Sequence, residues 1–124
     1  MVDPVVHFEI IGTDPAGLRY FYQRLFGWEA DTDSAVAEEV SDAGEYGFIQ
    51  APSGGIPGGI GGGPSHTPRA MFYVGVDDVG EALARAVDAG GAVVLDPVAR
   101  PDGQLVVAHF TDPEGNLIGL AGPR

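Results

Sequence analysis

Cysteine is missing from this sequence, which excludes disulfides, thiolate metal sites and a thiol nucleophile. Lysine is missing too, and 6 arginines stand against 18 acidic residues, for a formal net charge of −12. A surface that acidic repels phosphate backbones and anionic lipid, so neither nucleic acid nor a membrane surface is expected as a partner. There is no P-loop lysine and no GxGxxG run opening a helix, so the common nucleotide cradles are excluded. No apolar run approaches the ~18 residues of a membrane span. Met1-Val2-Asp3 carries neither a basic nor an apolar leader signal, and a cytoplasmic protein is expected.

Glycine and proline are abundant instead, at 20 and 10 residues. They gather at turns and in one run, Gly54 to Pro64, which points to a loop-rich β protein rather than a disordered one. By length, residues 1–124 form one domain, able to bury roughly two-thirds of the surface exposed by the unfolded chain. Near the C-terminus, Asp112-Pro113-Glu114-Gly115-Asn116 predicts a tight turn, with Leu117 to Ala121 leaving it as a strand. Pro52-Ser53-Gly54-Gly55 is a weaker copy of that punctuation, and two stretches that open like strands, at His7 and at Met71, each lead into a helical pattern. The chain reads as one unit written twice.

Val5 to Ile11 predicts a strand, with Val6, Phe8 and Ile10 on one face and His7 and Glu9 on the other. Asp14-Pro15 starts a helix that Gly27 stops, with Leu18, Phe21, Tyr22 and Leu25 as its apolar stripe. Glu29 to Asp42 predicts two short strands and Tyr46 to Ala51 a firmer one. Gly54 to Pro64 is a glycine strand that lets backbone or ligand approach closely, or a mobile loop. In the second half, Met71 to Val76 predicts a strand and Asp78 caps a helix to about Ala89, with Val79, Leu83, Ala86 and Val87 on its apolar side. Ala92 to Val98 and Leu105 to Phe110 follow as strands joined at Pro101-Asp102-Gly103.

Val6-His7-Phe8-Glu9-Ile10, Phe21-Tyr22, Leu25-Phe26-Gly27-Trp28, Tyr73-Val74-Gly75-Val76-Asp77-Asp78-Val79 and the Asp112 to Asn116 turn together resemble the vicinal-oxygen-chelate superfamily of glyoxalase I, bleomycin-resistance proteins and extradiol dioxygenases. The opening, the glycine-rich stretch and the final Gly115-Asn116-Leu117-Ile118-Gly119-Leu120 are similar to a bacterial group related to lactoylglutathione lyase. The resemblance implies an α+β fold: two tandem βαβββ modules, a curved mixed sheet around a central cavity, and a homodimer. Module one is expected at about 4–63, a linker at 64–69 and module two at 70–122.

Relatives with metal chemistry carry ligands on the first and fourth strands of each module, which the resemblance places at His7, about Gly58, Met71 and Gly119. Only His7 suits a hard or borderline divalent ion, and about three protein ligands are wanted. No cofactor is therefore expected, with a divalent Zn, Ni, Fe or Mn site, recruiting Glu9 or His109, as the alternative. His7 and Glu9 read either as a base with its orienting carboxylate or as a satisfied polar couple. Tyr73 and Met71 are expected to line the pocket with Gly58 and Gly119, His109 if its strand faces inward, Trp28 at its mouth, and Arg100 as a cation for an anionic group. The expected function is binding of a small organic molecule without the metal. The alternative is a lyase, isomerase, dioxygenase or hydroxylase-like enzyme using His7 and Glu9.

Overall fold

The computed structural model describes residues 2–124. Its eight strands and two helices give an α+β fold, and the chain divides into two compact units, 7–70 and 71–124, with Val5 and Val6 going with the latter.

In the amino-terminal unit, β1 (Val5–Gly12) leads into α1 (Pro15–Phe26), then β2 (Ala30–Asp31), β3 (Gly47–Ile49) and β4 (Gly58–Gly62). The strands lie in the order β2-β3-β4-β1, parallel between β1 and β4 and antiparallel elsewhere. The Asp14 carboxylate accepts from the Gly17 amide and Pro15 occupies the first turn, as the sequence predicts, while Gly27 ends the helix at φ 73°. The Gly54 to Pro64 alternatives resolve into a strand at 58–62 flanked by turns. Only Ala30–Asp31 forms where two strands are expected between Glu29 and Asp42; Ala37 to Ser41 turns instead, its backbone closing locally from Val40 and Ser41 to Ala37.

The apolar stripe of α1 is a second departure. Leu18 and Tyr22 are half-buried, but Phe21 and Leu25 are more than half exposed. The helix lies over β4, whose glycines offer almost no side-chain surface to bury against, and the aromatic rings gather at the end of the helix instead. There Tyr22 stacks on Trp28 at 5.5 Å, and Phe8 and Phe26 lie within 5.1 Å of the same indole.

In the carboxy-terminal unit, β5 (Arg69–Gly75) precedes α2 (Val79–Asp88), β6 (Ala92–Ala99), β7 (Leu105–Thr111) and β8 (Leu117–Pro123), ordered β5-β8-β7-β6 with β5 parallel to β8. Asp78 caps α2 through the Glu81 amide. Val79, Ala82 and Leu83 pack with Ala108 and Leu120 into a dry core. Val87, expected on that stripe, is exposed one turn beyond Leu83, next to the end of the helix. The unpaired edge of this sheet is β6, where Pro97 and two register irregularities keep the strand from presenting a continuous row of donors. Arg69, expected at the end of a linker, already belongs to β5.

The turn before β8 is held by Asp112. Its carboxylate accepts from the Glu114 and Asn116 amides and from the Asn116 side chain, each at 2.9 Å. Those bonds, the Asn116 side chain's first, hold the Asp112 carboxyl below its ordinary value of 3.8. A lowered folded-state pKa stabilises above the unfolded value and is lost as pH falls through the folded one. Asp112→Ala is accordingly expected to lower the Tm near neutral pH, with the gap to the native protein closing as pH drops below 3.8. A gap that persists unchanged in acid would show that the turn is held by something other than the ionised carboxylate.

Candidate functional site

On β1 the side chains alternate, and one face carries a hydrogen-bonded chain. The Tyr46 hydroxyl donates to Glu9 Oε1 at 2.9 Å, and His7 Nε2 lies 2.8 Å from the same hydroxyl. A phenol has one proton, so with that proton given to the carboxylate its oxygen accepts from His7 Nε2–H. A neutral imidazole that donates from Nε2 carries its lone pair on Nδ1. Glu9 is 2% exposed, and a carboxylate buried that deeply needs compensation. Besides Tyr46 it has Arg69, whose guanidinium donates to Oε2 at 3.4 Å. The Arg69 Nε is itself buried without a hydrogen-bond partner.

Aromatic rings frame His7: Phe48 at 6.2 Å, Tyr46 at 6.3 Å and Phe8 at 6.5 Å. Tyr46 and Phe48, two residues apart along the chain, are 4.9 Å from each other. Glycine makes the room they occupy. Gly59 is level with Glu9 in the register, and a β-carbon there would overlap the Tyr46 ring and hydroxyl.

The carboxy-terminal unit repeats the device with different residues. Tyr73 OH and His109 Nε2 are 2.8 Å apart, both residues are buried, and a β-carbon on Gly119 would overlap the Tyr73 ring. His109 is thus turned from β7 toward Tyr73. Met71 is buried on the same strand as Tyr73.

Several expected site residues lie elsewhere. Gly58 is level with Phe8 and faces the opposite side of β1 from His7, its β-carbon position taken by the Phe8 ring, so it does not share a face with the polar centre. Arg100 sits in the β6–β7 hairpin with its guanidinium 3.6 Å from Asp102, which occupies it within its own turn. His66, which follows Gly54 to Pro64, has its Nε2 3.3 Å from Asp42. Trp28 belongs to the aromatic cluster at the end of α1 and lines a cleft there. The residues that sequence reasoning passed over are Tyr46, Phe48 and Arg69. Period-two spacing marks Tyr46 and Phe48 as sharing a face, and puts Arg69 in step with Met71 and Tyr73.

The Glyoxalase/Bleomycin resistance protein/Dioxygenase superfamily model matches residues 5–120. The chain belongs to that superfamily. No protein of curated function matches its sequence. Among solved structures, a Streptomyces coelicolor methylmalonyl-CoA epimerase variant in complex with 2-nitronate-propionyl-CoA is similar at TM-score 0.69 and 18% identity, covering 99% of both chains. The methylmalonyl-CoA epimerase of Mycobacterium tuberculosis is similar at TM-score 0.70 and 14% identity, covering 97% of this chain and 87% of its own. A hypothetical protein from Bacillus halodurans gives 0.67 and 14%, with 100% and 96% covered. At these identities the likeness is one of fold.

Superfamily membership raises the question of a divalent metal. Of the positions the resemblance assigns to ligands, Gly58 and Gly119 have no donor and their side-chain space is filled by rings, while Met71 offers only a thioether. His7 Nε2 and both Glu9 oxygens are engaged by Tyr46 and Arg69. Among the described residues no three His, Asp or Glu side chains converge on one point. This donor set does not fit a divalent ion, and no chemical step is derived through one.

Proposed function

We propose that this superfamily member is a cytoplasmic homodimer that binds a small organic molecule without a metal, with His7 as the polar group the molecule meets and Phe48 as the adjoining apolar surface. The observation that carries the reading is the His7–Tyr46–Glu9 chain, with heavy-atom separations of 2.8 and 2.9 Å. Donors aligned head to tail, His7 to Tyr46 and Tyr46 to Glu9, hold the imidazole in one orientation and one tautomer, which suits recognition of a hydrogen-bonding head group.

The test pairs elemental analysis of the untagged protein with melting scans against Ni, Zn, Mn and Fe(II). The expected result is no stoichiometric metal and no Tm rise that grows with metal concentration. Stoichiometric metal would overturn the reading.

A second reading, an enzyme, is favoured by the same chain: a buried carboxylate orienting a phenol that orients an imidazole is the geometry of a positioned base, with the lone pair at Nδ1. The epimerase neighbours make methylmalonyl-CoA the first substrate to try, by following solvent deuterium into the α position. A net charge of −12 disfavours the polyanionic coenzyme A moiety, so no exchange is expected with it. With a substrate that does turn over, His7→Ala abolishes the rate if His7 is the base. If binding is the whole function, the same change weakens affinity by about 1–2 kcal/mol, the scale of one hydrogen bond.

A further inference from the structure

The amino-terminal unit has a cleft of about 850 Å³ that neither His7 nor Glu9 lines. Phe26, Trp28 and Phe48 are its aromatic lining residues, and Glu29, Asp31 and Gln50 its polar ones. The volume falls in the ordinary range for small-molecule sites, roughly 300–1,000 Å³. Two features give it a chemical preference. Aromatic walls present negative ring faces, and a cation over such a face gains about 0.5–1 kcal/mol at an exposed site. Both charged lining residues are carboxylates, and none of the arginines of the chain lines the cleft.

We infer that this cleft binds a flat organic cation, an amidinium or ammonium on an aromatic body, seated against Phe26, Trp28 and Phe48 with its charge toward Glu29 and Asp31. A simple inorganic cation fits less well, because the carboxylates are solvent-exposed and the remaining surface is apolar. An anion is opposed by both carboxylates and by the charge of the whole chain. Phe48 also adjoins His7 and is the one residue common to this cleft and the surface proposed above.

Trp28 is the only tryptophan in the sequence, so its fluorescence and its single indole N–H resonance report on this cleft alone. The experiment titrates the whole protein with benzamidinium, benzamide and benzoate, three probes of nearly one shape bearing positive, zero and negative charge. The expected result is a saturable change with benzamidinium at an affinity about fivefold above that of benzamide, the scale of one exposed cation–aromatic contact, and no saturation with benzoate. In the Glu29→Gln, Asp31→Asn double variant, which keeps the aromatic rings, the preference for benzamidinium should fall. Asn retains the oxygen with which Asp31 accepts from the Asp33 amide, so the local turn is kept. Three probes that bind alike, a preference left undiminished by the double variant, or no change in either signal with any probe would each overturn the proposal.

Discussion

Gly59→Ala is expected to lower stability by about 3 kcal/mol, combining overpacking of a filled core with the loss of buried hydrogen bonds. The new methyl group would overlap the Tyr46 ring and its hydroxyl, and Tyr46 is 3% exposed, so the ring has no solvent to swing into. Moving it separates the hydroxyl from Glu9 and His7 together. Denaturant titration should show a reduced midpoint with an unchanged slope, and Tyr46→Phe should cost less, because it keeps the packed ring and gives up only the hydroxyl. The decisive comparison is Gly59→Ala in a Tyr46→Ala background, where the methyl has room and should cost much less than it does alone. Equal costs in the two backgrounds would mean that Gly59 is required for its backbone and not for the space it leaves.

Arg69→Met is expected to cost about 2 kcal/mol, less than the ~3–5 of a fully buried ion pair that loses one partner. The reduction has two sources: the Arg69 side chain is 21% exposed, and its separation from Glu9, 3.4 Å, is long for a charge-assisted bond. What remains after the substitution is a carboxylate at 2% exposure deprived of its cation. Adding Glu9→Gln removes that charge and should restore part of the loss, so the double variant is expected to be more stable than Arg69→Met alone. A double variant less stable than either single one would show that Glu9 draws its compensation from elsewhere.

The elements that sequence reasoning locates well are those fixed by local chemistry. Asp14-Pro15 and Gly27 bound α1, Asp78 begins α2, and the turn at Asp112 to Asn116 forms as its residues dictate. Glu29 to Asp42 is harder, because alternating alanine and valine among acids suits an exposed strand and an irregular segment equally. At the site, His7 and Glu9 are legible as sharing one face of a strand. Tyr46 and Arg69 are not, since what brings them to Glu9 is sequence-distant packing across separations of 37 and 60 residues, with no local pattern to announce it. Gly58 goes astray by one residue, and in a strand one residue exchanges one face for the other.

The glycines of β4 and β8 also bear on how this chain can change. A donor placed at 58, 59 or 119 would enter space already held by Phe8, Tyr46 or Tyr73. Each such replacement must therefore coincide with loss of the ring opposite it, and the ring's removal alone would open a void about the size of a side chain, itself costly. Either order of single steps passes through a destabilised intermediate. For anyone attempting to engineer a metal-dependent activity into this scaffold, the practical unit of mutation is a glycine–aromatic pair changed together.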